Sequence, residues 1–193
     1  MAGSSLEPGY FDRLYASDPD PWRFETSYYE RAKYAATVAA LPRKRYRRGV
    51  EAGCSIGVLT AQLAARCDRM LGIDVAAAAL DRARQRLAGV TNVEFSQLRL
   101  PSERPPGRFD LIALSEILYY FDIATLASLA EVVIDMAAPD ADILMVHWLG
   151  PTPDYPLTGD TAVAAFLAAL APRVAITLQT RTPDYRLDRL RRV

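Results

Sequence analysis

From residue 48 onward the chain alternates short apolar runs with longer amphipathic ones. An apolar piece at 49–52 breaks at Gly53, and a helix-patterned stretch follows over 56–66. Residues 70–73 read as a buried strand ending at Asp74, and an alanine-rich, arginine-faced helix follows over 76–88. Residues 93–96 and 109–114 read as the third and fourth strands, separated by a loop at 101–107. Residues 123–137 have helical spacing and 143–148 form a fifth strand. Strands alternating with helices of roughly 10 to 15 residues predict a parallel sheet covered on both faces through right-handed crossovers.

Both ends of the chain depart from that rhythm. After a helix at 161–170, two alternating runs at 174–180 and 185–190 are separated by a hairpin-sized gap, which predicts an antiparallel pair closing the sheet edge. Residues 1–30 are polar and aromatic, with the turn-rich Asp18-Pro19-Asp20-Pro21 followed by Trp22, Phe24, Tyr28 and Tyr29, and contain no core strand. Residues 30–41 have helical composition and stop at Pro42. The expected architecture is α/β: a Rossmann-like doubly wound sheet, mostly parallel with an antiparallel carboxy-terminal hairpin. It forms a single domain over 1–193, with 1–42 as an amino-terminal lid or helical cap.

Composition narrows the chemistry. At 193 residues, 51% hydrophobic and 24% charged, the chain has the length and apolar content for one core, and global disorder is excluded. Basic and acidic residues balance at 23 each, so no general field favours nucleic acid or an anionic membrane. The basic run Arg43-Lys44-Arg45-Tyr46-Arg47-Arg48 reads as a solvated face. Lys33 and Lys44 are the only lysines, and both precede the expected core, which disfavours a lysine nucleophile. Cys54, Cys67 and the single His147 supply neither a disulfide framework nor a metal-ligand set, so no metal is expected. No apolar run reaches the roughly 18 to 20 residues that cross a bilayer, and residues 1–7 lack the pattern of a secretion signal, so a cytoplasmic location is expected. No obligatory protein partner is evident.

Open parallel sheets bind ligands beyond the carboxyl ends of their strands, usually at the first strand-to-helix turn. Here that turn reads Glu51-Ala52-Gly53-Cys54-Ser55-Ile56-Gly57. Gly53 lets a ligand approach the backbone, and Gly57 lets the next helix pack tightly on the strand. A dinucleotide loop would place a third glycine near position 55 to admit a pyrophosphate, and Ser55 stands there instead. Asp74, closing the second strand, can accept both ribose hydroxyls of an adenosine, although it also stands where it could cap the helix that begins near Ala76. Turn and acid together indicate an adenosine cofactor without pyrophosphate, and S-adenosylmethionine fits.

These segments, with Gly72-Ile73-Asp74-Val75 and Phe109-Asp110-Leu111-Ile112-Ala113-Leu114-Ser115-Glu116, resemble the class I S-adenosylmethionine-dependent methyltransferases. The resemblance narrows with Asp18-Pro19-Asp20-Pro21-Trp22-Arg23-Phe24-Glu25-Thr26-Ser27, with Ser115-Glu116-Ile117-Leu118-Tyr119-Tyr120 and with His147-Trp148. Those segments are similar to the nodulation protein S family, best known for rhizobial N-methyltransferases that act on a free glucosamine amine of a chitooligosaccharide. The similarity runs from about 10 to 191. It implies S-adenosyl-L-methionine as cofactor and S-adenosyl-L-homocysteine as product. Glu51 and Gly53 would surround the methionine portion and Asp74 the ribose. Gln97, or a backbone amide next to it at Leu98, would meet the adenine edge. Ser115 and Glu116 would lie beside the transferable methyl group, and Trp22, Arg31, Ser55 and Gly57 complete the implied cofactor set.

Methyl transfer from a sulfonium is an in-line displacement that removes charge from sulfur, so alignment and water exclusion matter more than a strong base. For an amine acceptor a carboxylate or imidazole would help to orient and deprotonate it. Glu116 and His147, at the carboxyl ends of central strands, are the catalytic candidates; either could instead serve as a helix-start carboxylate or a satisfied strand-end residue. Tyr119, Tyr120 and Trp148 are candidates for a sugar-binding surface, the tyrosines being also plausible core residues. The expected function is N-methylation of a free amine of an amino sugar or deacetylated oligosaccharide. The alternatives are O- or N-methylation of another small molecule, or non-catalytic binding of S-adenosylmethionine. A nicotinamide oxidoreductase is disfavoured by the missing third glycine. Nucleic-acid amino methylation is disfavoured because Ser115-Glu116-Ile117-Leu118 holds no proline.

Overall fold

The computed structural model describes residues 3–193; the first two positions of the expected 1–42 cap lie outside them. The chain divides into two compact units. One is residues 7–99, and the other is residues 100–193 together with the start of the chain up to Leu6.

In residues 7–99, helices α1 (Pro8–Ser17) and α2 (Tyr28–Ala39) precede β1 (Tyr46–Ala52), α3 (Val58–Ala64), β2 (Cys67–Asp74), α4 (Ala77–Arg86) and β3 (Val93–Gln97). The three strands are parallel in the order β3-β2-β1, with Glu51 level with Gly72 and Asp74 level with Gln97. β1 begins three residues before the apolar run because Tyr46 and Arg48 already pair with Cys67 and Arg69. α1 falls in the stretch that reads from sequence as polar and aromatic. Its proline in the first turn favours helix, and Phe11, Leu14 and Tyr15 stand at helical spacing along one side, with Tyr15 buried. α2 is capped by Ser27, whose hydroxyl accepts from the Glu30 N–H. Its buried face carries Lys33, ion-paired to Glu30 at 2.9 Å and lying near the Tyr29 and Tyr34 rings.

In residues 100–193, β4 (Phe109–Ser115) leads through the 3-10 turn Leu118–Tyr120 to α5 (Ile123–Met136). β5 (Ala137–Trp148), α6 (Gly159–Leu170), β6 (Val174–Arg181) and β7 (Tyr185–Arg192) follow. β4 and β5 are parallel; β7 runs antiparallel to β5 and to the edge strand β6. The expected hairpin is thus present. Read along the sheet, the strand order is β3-β2-β1-β4-β5-β7-β6. Leu126, Leu129 and Val133 of α5 and Val163, Phe166 and Leu170 of α6 are buried with Ile143 and Met145 of β5, which explains the apolar faces of both helices. Ion pairs fasten the edge. Buried Asp188 accepts from Arg186 at 2.8 Å and from Gln179 at 2.7 Å, and Asp160 at the start of α6 pairs with Arg181 and Arg186. Among the described residues, no helix is long and apolar enough to cross a membrane.

Candidate functional site

Two groups of residues stand at the carboxyl ends of strands, one in each unit. In residues 7–99, Gly53 and Gly57 have φ of 73° and 79°, and Ser55 between them also lies in the left-handed region at 49°. Three such residues coil the turn so that the Gly53 and Cys54 amides both donate to the Ile73 carbonyl. An added Cβ on Gly57 would fall 3.0 Å from Ala83 and 3.1 Å from Leu87, so this glycine permits close packing of the turn on α4. The sequence-based expectation placed that close approach on the strand.

Asp74 combines the two roles open to it. Its Oδ1 accepts the Ala76 N–H at 3.0 Å and so serves the start of α4, and its Oδ2 accepts the Ser55 N–H at 2.8 Å. The carboxylate thereby ties the end of β2 to the glycine turn. Burial raises its pKa, and the amides of Ala76, Ser55 and Val75 oppose that shift. Glu51 is buried on β1 and accepts from the Thr60 hydroxyl at 2.5 Å. Burial pushes its pKa up to about 8, against the Thr60 bond and with help from the Asp74 charge. Gln97 donates to the Val75 carbonyl at 2.8 Å, and the Leu98 N–H donates to the Asp74 carbonyl at 3.1 Å, so the β3 end folds back on the Asp74 loop.

The amino-terminal segment docks on this turn. The Tyr15 hydroxyl hydrogen-bonds Ser55 Oγ, both being buried. Around it Phe11, Trp22, Phe24 and Val58 pack on Ile56, Ala76 and Ala79, with the Trp22 and Phe24 rings stacked at 5.5 Å. The Asp-Pro pairs have a local purpose: Asp20 accepts the Phe24 and Glu25 amides at 2.9 and 3.0 Å, and Asp18 accepts the Asp20 amide at 2.9 Å. Arg86 of α4 pairs with Glu25 and donates to the Ile56 carbonyl, clamping the same segment from the other side. Arg31 is exposed on the first turn of α2 and apart from these contacts. Tyr15 is absent from the sequence-based candidates; the helical spacing of Phe11, Leu14 and Tyr15 marks it as facing inward, but nothing in that spacing names Ser55 as its partner.

In residues 100–193, Ser115 is buried at the end of β4 and Glu116 follows it in the left-handed region, φ 57°. One Glu116 oxygen, Oε2, accepts both the Tyr119 hydroxyl and the Trp148 N–H at 2.8 Å. Buried His147 accepts the Leu118 N–H at Nε2, 3.2 Å away, and its ring meets Tyr119 edge-on. The 3-10 turn is therefore fastened from the end of β5 by two neighbouring residues. Tyr119 and Tyr120 are 5% and 9% exposed, and Tyr155 closes on both, stacked on the first at 5.3 Å and edge-on to the second at 4.8 Å. Burial raises the pKa of both buried tyrosines, and the Glu116 charge adds to it, so these hydroxyls stay protonated. The structure brings Glu116, Tyr119, Tyr120, His147 and Trp148 together, and adds Tyr155 from a loop that sequence reading treated only as a segment.

A mostly parallel sheet with an antiparallel β7, carrying a glycine turn after β1 and an acid after β2, has the fold of the class I methyltransferases. The crystal structure of N-methyltransferase NodS from Bradyrhizobium japonicum WM9, in complex with S-adenosyl-L-homocysteine, superposes with a TM-score of 0.82. That match covers 95% of this chain and 97% of that one at 23% identity. Within that class the chain belongs to the Nodulation protein S (NodS) family, whose model matches residues 12–147. It is 30% identical over 127 residues to nodulation protein S of Bradyrhizobium diazoefficiens, an alignment covering 65% of this chain and 61% of that protein. The matched region spans about three fifths of the length of the curated relatives. A structure from Pseudomonas syringae, provisionally described as a methyltransferase, is 38% identical over 86% of this chain and all of that one, with a TM-score of 0.76.

Proposed function

We propose that the protein is an S-adenosylmethionine-dependent N-methyltransferase whose acceptor is a free amine of an amino sugar or deacetylated chitooligosaccharide. The observation that carries the amine reading is Glu116, a carboxylate held at the end of β4 by Tyr119 and the Trp148 amide. The family and the S-adenosyl-L-homocysteine complex of its Bradyrhizobium japonicum relative support the cofactor.

The donor group fits the residues of the 7–99 unit. The turn at 53–57 offers coiled backbone without the glycine at 55 that a pyrophosphate would need, and Asp74 offers a carboxylate beside it. Glu51 and Gly53 would hold the methionine end, Asp74 the ribose, and Gln97 with the Leu98 amide the adenine edge. Trp22, Arg31, Ser55 and Gly57 complete the assignment in this unit. When bound, the cofactor supplies an electrophilic methyl group on a positively charged sulfur.

The remaining work is done by this chain. An acceptor amine must present a lone pair, and Glu116 orients it and takes its proton. His147 already spends Nε2 on the Leu118 amide, so we give it a positioning role: it holds the turn that carries Tyr119, and Tyr119 holds Glu116. Of the expected 1–42 cap, residues 7–42 keep water from the cofactor, through the Phe11, Tyr15, Trp22 and Phe24 cluster. The buried thiols of Cys54 and Cys67, outside any disulfide, support a reducing, cytoplasmic location.

Radiolabelled S-adenosylmethionine offered with glucosamine, deacetylated chitooligosaccharides and hydroxylated small molecules tests the reading. Label is expected on the amino sugars. Transfer only to hydroxyl acceptors would replace amine by oxygen methylation, and calorimetry showing no binding of S-adenosylmethionine would remove the enzyme reading altogether.

A further inference from the structure

Residues 3–6 lie with the 100–193 unit, in a segment outside every helix and strand, and they are tied there by side chain and backbone together. The Ser5 hydroxyl donates to Asp122 Oδ2 at 2.7 Å, and the Ser5 N–H donates to the same oxygen at 3.1 Å. The Asp122 N–H donates back to Ser5 Oγ at 2.9 Å. One residue on, the Leu6 N–H donates to the Tyr120 carbonyl at 2.8 Å. Gly3 lies beside Pro156, where an added Cβ would stand 3.5 Å from the Pro156 Cα.

Helix α5 does not need Ser5 for its cap. Asp122 Oδ1 already accepts the Thr125 N–H at 2.8 Å, and Ser5 occupies the other oxygen. The Thr125 amide first and the Ser5 hydroxyl second hold the Asp122 carboxyl down to about 2, so the clasp is charge-assisted at every working pH. What Ser5 adds is a hold on the turn before the helix. A 3-10 turn of three residues, Leu118–Tyr120, has little hydrogen bonding of its own, so ties from outside set its position. Leu6 takes the Tyr120 carbonyl, the Leu157 N–H takes the Tyr119 carbonyl at 3.4 Å, and Ser5 takes the residue that links the turn to α5. From that turn the Tyr119 hydroxyl donates to Glu116.

We infer that Ser5 is a positioning residue for the methyl transfer: clasped to Asp122, it holds the 118–120 turn so that Tyr119 keeps Glu116 in place for the acceptor amine. The inference rests on the proposed function and gives the start of the chain a part in it separate from the cofactor cap. A carboxylate that must meet an amine lone pair works within a narrow geometry, and a misplacement of about 1 Å caused far from the chemistry can cost about a hundredfold in rate.

Ser5→Ala is the direct test, because it deletes the hydroxyl and leaves Asp122 capping Thr125. With fully deacetylated chitotriose as acceptor, kcat is expected to fall about tenfold while S-adenosylhomocysteine affinity stays unchanged, and Ser5→Thr should recover most of the loss. Pairing with Tyr119→Phe separates positioning from plain stability. Acting through Tyr119, Ser5→Ala should lower kcat by less than about twofold in that background. A second readout needs no acceptor: the amides of Leu118, Tyr120 and Phe121, all bonded within or to this turn, should exchange faster in Ser5→Ala than in the wild type. An unchanged kcat in Ser5→Ala, or the same loss repeated in Tyr119→Phe, would make the clasp a structural fastening and overturn the inference while leaving the proposed function standing. Equal exchange of the turn amides in both proteins would overturn it too. Label passing from S-adenosylmethionine to hydroxyl acceptors and never to chitotriose would sink the amine reading itself, and this inference with it.

Discussion

Residues 7–99 and 100–193 each gather a group of interacting residues at the carboxyl ends of parallel strands, and they build it from different materials. The first unit uses backbone: a glycine turn, one carboxylate accepting two amides, and a helix latched on by Tyr15. The second uses side chains brought from far apart, Glu116 to Trp148, Leu118 to His147, and Tyr119 to Tyr155. A backbone site constrains consecutive residues and so leaves a motif. A side-chain site constrains partners about thirty or more positions away and leaves only residue types. Under the proposed function, the backbone-built group suits a fixed ligand and the side-chain-built group one that varies.

The comparison breaks first at Glu116. Glu116→Gln keeps an oxygen to accept from Tyr119 and the Trp148 amide, so the turn should hold, but it cannot take a proton. Turnover of the amine is expected to fall about a hundredfold or more, with S-adenosylhomocysteine affinity unaltered in calorimetry. Unchanged turnover would mean that alignment alone drives the reaction. On the other side, Asp74→Ala is expected to weaken cofactor binding by about 1.5 to 3 kcal/mol, the range for hydrogen bonds to a charged group. It leaves the amides of Ser55 and Ala76 without their acceptor, so Asp74→Asn, which can still serve one of them, should lose less. Equal affinity for all three proteins would take the ribose away from Asp74.

The same contrast explains what was legible beforehand. The parallel alternation, the antiparallel hairpin, the glycine turn and Asp74 all follow from local pattern, and the structure has them. α1 went unassigned because its period, Phe11, Leu14 and Tyr15, is short and runs straight into the turn-rich Asp-Pro segment. Nor was the start of β5 at Ala137, where Asp140 at φ 58° interrupts the run and a register shift sets in between Phe109 and Leu111. The acceptor group was legible as residue types and illegible as an arrangement. Nothing in the sequence says that Tyr119 will be covered by Tyr155, or that Ser5 will clasp Asp122.

Glu51 sharpens the account of the backbone site through pH. Its folded pKa of about 8 lies above its ordinary 4.5, so the folded chain holds this proton more tightly than the unfolded one. The stability it contributes is complete below about pH 4.5 and is lost as pH rises through about 8. Glu51→Gln removes that dependence while still accepting from Thr60. Between about pH 6 and pH 8 the wild type should lose about 2 kcal/mol relative to the variant in denaturant unfolding. Parallel stability curves for the two proteins would show that Glu51 is already ionised in its pocket.

The smallest expected effect lies at the latch, and it decides how the cap works. Tyr15→Phe removes one buried hydroxyl–hydroxyl bond, worth about 1 kcal/mol, and keeps the ring against Ile56, Ala76 and Trp22. Burial raises the pKa of this tyrosine, so the bond is present at every working pH. Ser55 holds a left-handed backbone that a serine rarely adopts, and without the Tyr15 bond the Asp74 contact to its amide and the backbone bonds of the turn remain to oppose relaxation. If residues 10–29 open and close over the cofactor, amide protection from Phe11 to Tyr28 should rise when S-adenosylhomocysteine binds. Tyr15→Phe should then lower it most in the free protein, where the latch is the main tie. Equally strong protection with and without ligand, unmoved by the substitution, would make the segment a fixed arm held by its aromatic packing and by the Arg86 clamp on Glu25.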